Sequence, residues 1–65
     1  MDTLAKLNDI IDCGLYTKVE IAYILIIDVS TLRRWLSGAA IDDLHTLKIN
    51  ELWRIKNVRL QELDQ

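Results

Sequence analysis

The sequence predicts a compact all-α domain of four to five helices. Apolar residues recur every three or four positions in segment after segment, which is the period of one helix face. Proline is absent, and the two glycines, Gly14 and Gly38, stand where those segments break. Side chains suited to capping precede several of the apolar stretches.

Leu4, Leu7 and Ile11 recur at helical spacing, with Ile10 widening the stripe, and the pattern stops at Gly14. This places a first helix over about Thr3 to Cys13. Thr17 followed three residues later by Glu20 is a capping box, so a second helix starts there. Its inward face is Ile21, Ala22 and Leu25, with Val19 and Tyr23 outward. Asp28 is positioned to cap a short third helix, Val29 to Leu36, that buries Leu32 and Trp35 and ends at Ser37-Gly38.

Asp42 or Asp43 then caps the last helical segment, for which two parses stand open. One has a fourth helix to about Lys56, a turn at Asn57 and a short fifth helix over Arg59 to Leu63; the other has a single helix over 43–63. At about 100° per residue, Leu44, Leu47, Leu52, Ile55 and Val58 share one side of such a helix and Ile49, Trp53 and Leu60 the other. A helix apolar on two sides touches two things.

Composition bounds the rest. Sixty-five residues suffice for one domain, 1–65, and a core this small is marginal unless supplemented. The lone Cys13 excludes an internal disulfide and leaves too few soft ligands for a zinc knuckle. The apolar run Ile24 to Ile27 is far short of the roughly 20 residues that cross a bilayer, and Met1 to Cys13 carries acidic residues, unlike a signal peptide. A cytoplasmic protein with no membrane partner is expected. The net charge of −2 runs against the basic footprint usual for nucleic-acid binders, although the charges alternate in blocks and residues 44–60 are basic.

The stretch of most functional interest is about 17–38. Ala22 is small where a third helix must cross close to the second, and Ile21, Leu25, Ile27, Leu32 and Trp35 form a wedge between the two. Thirteen residues separate Ala22 from Trp35, which lets both face one core across a tight turn.

In these residues the sequence resembles the phage repressor and Cro family. Thr17-Lys18-Val19-Glu20-Ile21-Ala22 is similar to that family's second helix and Ser30-Thr31-Leu32-Arg33-Arg34-Trp35-Leu36-Ser37-Gly38 to its third. Leu44-His45-Thr46-Leu47-Lys48-Ile49 and Asn57-Val58-Arg59-Leu60-Gln61-Glu62-Leu63 resemble its fourth and fifth. The Thr31-Leu32-Arg33-Arg34-Trp35 segment also resembles excisionase and MerR-type proteins and the N-terminal part of some antitoxins. Ile26 departs from the pattern, standing where the family has a turn glycine; a β-branched residue in the left-handed region costs about 1–2 kcal/mol, so a turn of different construction is expected.

The resemblance implies a lambda-repressor-like helix-turn-helix domain and a transcriptional regulator, a repressor that binds an inverted-repeat operator in double-stranded DNA. It places Val29, Ser30, Arg33 and Arg34 against base edges. Lys18 and Ser37 are placed on phosphates, which position the protein without specifying sequence. One short helix reads few base pairs, so a homodimer with recognition helices about 34 Å apart is expected. Ile49, Trp53 and Leu60 are the expected self-association stripe. The alternative is a protein-interaction module, an antitoxin or acidic adaptor on the same fold, with a protein partner instead of DNA. His45 has no second histidine or supported ligand near it, and no nucleophile elbow exists. No metal, cofactor or enzymatic activity is expected.

Overall fold

The computed structural model describes residues 2–63, which form α1 (Thr3–Asp12), α2 (Lys18–Leu25), α3 (Val29–Leu36) and α4 (Asp43–Leu63), with no strand among the described residues. Of the two parses of the last segment the single helix is the one adopted: α4 runs 21 residues through Asn57 without a break. Among the described residues no helix is long and apolar enough to cross a membrane.

Three of the four starts carry a side-chain cap. The Asp2 carboxylate accepts from the Ala5 amide at 2.7 Å and opens α1. The Thr17–Glu20 box forms in full, the Glu20 amide donating to Thr17 Oγ1 at 3.1 Å and the Thr17 amide to Glu20 Oε1 at 3.0 Å. Asp28 occupies the cap position of α3 with extended backbone, but its carboxylate makes no capping hydrogen bond. At α4 the cap is Asp42, whose Oδ2 accepts from the His45 amide at 3.3 Å.

The ends of α2 and α3 share one construction. The Ile26 amide donates to Tyr23 and the Ile27 amide to Ala22, as the Gly38 amide donates to Trp35 and the Ala39 amide to Arg34. This is the paired closure that requires one left-handed residue just past the helix. Gly38 supplies it at φ 108°, while Ile26 does so as a β-branched residue at φ 58°, ψ 51°. The expectation of a differently built turn is therefore corrected: the turn is the ordinary one, held in spite of the side chain.

Ile26 is 80% exposed, so its side chain contributes little packing to offset that cost. Ile26→Gly should raise stability by about 1 kcal/mol, the left-handed penalty of about 1–2 kcal/mol less the entropy that glycine adds to the unfolded chain. Thermal unfolding of Ile26→Gly beside Ile26→Ala checks this, since alanine keeps the penalty and should show no comparable gain.

One cluster forms the core: Leu7 and Ile10 from α1, Ile21, Ala22 and Leu25 from α2, Leu32 and Trp35 from α3, Ile49 and Leu52 from α4. The expected inward faces of α2 and α3 are those observed. On α4 the phase is reversed from expectation. Ile49 is completely buried, Trp53 is half-buried against the core, and Leu60 is half-buried near the end of the helix. Ile49, expected in the self-association stripe with Trp53 and Leu60, is thus in the core, whereas on the opposite side Leu44, Leu47, Ile55 and Val58 face outward and Leu52 alone is buried.

The physical reason lies on α1. Asp9 accepts from the Trp53 indole N–H at 2.8 Å and from the Lys56 ammonium, while Lys6 Nζ donates to Asn50 Oδ1 at 2.9 Å and lies 5.1 Å from the Trp53 ring centre. Lys56 is only 4% exposed and can be buried because its charge is met there. Two apolar stripes compete for α1, and the polar partners favour the one that carries Trp53.

Candidate nucleic-acid interface

The apolar side of α3 is fixed by Leu32 and Trp35, both in the core, and Trp35 is covered in turn by the His45 ring at 5.2 Å between centroids. His45 is itself held by Asp42, whose Oδ1 lies 2.6 Å from Nδ1. This contact holds the Asp42 carboxyl below its ordinary value. The third helix is thus clamped from behind by the start of α4.

Opposite that clamp stand Ser30, Arg33, Arg34 and Ser37, all exposed. Their spacing of i, i+3, i+4 and i+7 places them in one row along the outer side of α3. Arg34 Nη2 donates to Thr31 Oγ1 at 3.2 Å, which restrains the guanidinium beside the helix. Thr31 is not among the expected site residues; its sequence signal is a hydroxyl three residues before an arginine on a helix. Both arginines fall in the last turn, where positive charge is favoured by the helix dipole.

Val29 does not belong to this row. It is half-buried and packed against the core, so its expected place against base edges is corrected: the side chain is turned towards the core and away from the exposed row. Lys18 is exposed at the first position of α2. The Thr17 and Glu20 amides there are taken by the capping box, which leaves the Lys18 ammonium together with the Lys18 and Val19 amides to face an anion.

Between the end of α2 and the start of α3 lies a shallow open groove, lined by Ala22, Tyr23, Ile24, Ile26, Ile27, Asp28 and Thr31. Its rim is apolar: Tyr23 is 85% exposed and Ile24 42%. Asp28 adds a carboxylate at the head of α3.

The row on α3 supplies the donor-rich, planar guanidinium groups that read paired acceptors, and hydroxyls that either donate or accept. It has no nucleophile, base and orienting partner arranged together as hydrolytic chemistry requires. No family model, curated protein or solved structure matches the chain.

Proposed function

We propose that the protein is a small DNA-binding regulator that lays α3 in the major groove of duplex DNA. The observation that carries the reading is the exposed row Ser30, Arg33, Arg34 and Ser37, directly opposite the buried Leu32 and Trp35. Arg33 and Arg34 are suited to guanine O6 and N7, Ser30 to any base edge, and Ser37 and Lys18 to flanking phosphates. The short turn between α2 and α3, and the likeness of residues 17–38 to the phage repressor and Cro family, support a helix-turn-helix of that kind. Repression of an operator built as an inverted repeat is the mode of action that fits it, each copy reading one half.

The α2–α3 groove favours a second reading. Its exposed Tyr23, Ile24 and Ile26, together with the net charge of −2, suit a protein-interaction module better than a polyanion surface.

Fluorescence anisotropy against a pool of random duplexes at low and moderate salt separates the two. DNA binding predicts affinity falling with salt, by a slope of about −0.9 per phosphate contacted. The Arg33→Ala/Arg34→Ala double variant should bind at least about tenfold more weakly, a loss of one good contact or more. Absence of binding at low salt would overturn the DNA reading in favour of the groove.

A further inference from the structure

The outward side of α4 has a symmetry in its sequence. Leu47 and Ile55 lie four residues to either side of Glu51, and Leu44 and Val58 lie seven to either side. All four are exposed, at 60% for Leu44, 67% for Leu47, 36% for Ile55 and 45% for Val58. Offsets of four and seven keep them on the side of the helix that carries Glu51. Arg54 Nε donates to Glu51 Oε2 at 3.3 Å and its Nη2 donates to Oε1, so the midpoint of the stripe is a neutral pair.

We infer that this face is the docking surface for a second copy of the chain, with the two α4 helices antiparallel and the two-fold axis at Glu51. Laid that way, Leu44 meets the partner's Val58 and Leu47 the partner's Ile55, twice each. Leu47 and Ile55 lean to opposite sides of the stripe, as do Leu44 and Val58 to a lesser degree, so the opposed side chains interdigitate instead of colliding. The arrangement is isologous, the same patch on both copies. At the axis the two Glu51 carboxylates would repel; each Arg54 has N–H groups to spare and can bridge both.

A parallel pair sets Arg54 beside Arg54 and aligns the helix dipoles, whereas the antiparallel pair opposes the dipoles and sets Asp43 of each copy across from Arg59 of the other; Arg54 then lies across from Lys48, and its pairing with Glu51 offsets that like charge. The apolar surface is on the order of a few hundred Å² per copy, the size at which an exposed patch serves association. A patch of that size stands at or below the lower end for specific interfaces, so the dimer should dissociate in the micromolar range or above.

The inference rests on α4 alone and holds whether or not α3 binds DNA. It is tested by sedimentation equilibrium without nucleic acid, from about 5 µM to about 500 µM protomer, a span that brackets micromolar association. The wild type should shift towards the dimer mass across that range. Leu47→Glu and Ile55→Lys should each weaken association at least tenfold, with helical circular dichroism unchanged because neither side chain is in the core.

Mixed in equal amounts, the two variants should regain the dimer. In the antiparallel register Glu at 47 on one copy meets Lys at 55 on the other, while wild-type Leu47 and Ile55 meet at the second contact. A wild type that stays monomeric, a dimer indifferent to both substitutions, or disruption without recovery in the mixture would each overturn the inference. The DNA titration of the Arg33 and Arg34 variant is read separately, so either idea can fail alone.

Discussion

Truncating Ile49 to alanine should leave much of the population unfolded at room temperature. The side chain is fully buried in the core cluster, and removing three carbons from such a site costs about 2–5 kcal/mol. A domain of this length has about 3–10 kcal/mol of total stability. Leu47→Ala, two residues away on the exposed side of the same helix, should change monomer stability by no more than about 0.5 kcal/mol. Urea unfolding of both variants, monitored by circular dichroism at low protein concentration, reads the contrast directly. Equal effects would mean that α4 is rotated away from the phase that buries Ile49.

The second large effect is expected at Asp9. Asp9→Asn keeps the shape and an acceptor oxygen for Trp53 but strands the Lys56 ammonium, 4% exposed, without its counter-charge. Breaking such a pair should lower Tm by roughly 5–10 °C, less than for a fully buried pair because the Asp9 side chain is 38% exposed. Adding Lys56→Met to that variant should recover most of the loss, since the stranded charge is then gone and methionine occupies much of the volume of the lysine stem. Losses that simply add would deny the coupling.

The same pair has a pH signature. Hydrogen bonding from Lys56, then from Trp53, holds the Asp9 carboxyl below its ordinary value. A lowered carboxyl contributes stability that is fully present above the unfolded value and is lost as pH falls through the lowered, folded one. The wild type should therefore lose stability on acidification below the ordinary carboxylate range. In Asp9→Asn that acid limb should be shallower, with Asp42 and Glu51, both also lowered, accounting for what remains.

Much of this architecture is legible without coordinates, for identifiable reasons. The Thr17–Glu20 box, the inward Ile21, Ala22 and Leu25, and the break at Gly38 are local signals that a single turn of helix either satisfies or does not. The exposed row on α3 follows from the same periodicity that buries Leu32 and Trp35. The features that escape are set by pairing between distant segments. Two stripes on α4 have similar apolar content, and nothing within 43–63 says which one α1 covers; Asp9 and Lys6, more than 40 residues away, decide it. Val29 and Ile26 fail for a related reason. Val29 packs against a core assembled from all four helices, and Ile26 accepts a left-handed backbone because the turn needs one there and the hydrogen bonds around it hold the helix end.

The α1–α4 clamp also orders the events of folding. The α2–α3 pair closes over a short stretch of chain, with its turn bonds spanning three to five residues, and so loses little loop entropy. Asp9 and Lys56 are 47 residues apart, and neither Trp53 nor Lys56 has its partner until that long loop has closed. The helix pair bearing Arg33 and Arg34 is therefore the part expected to assemble early, and the docking of α1 on α4 is expected to be the slower, non-local step.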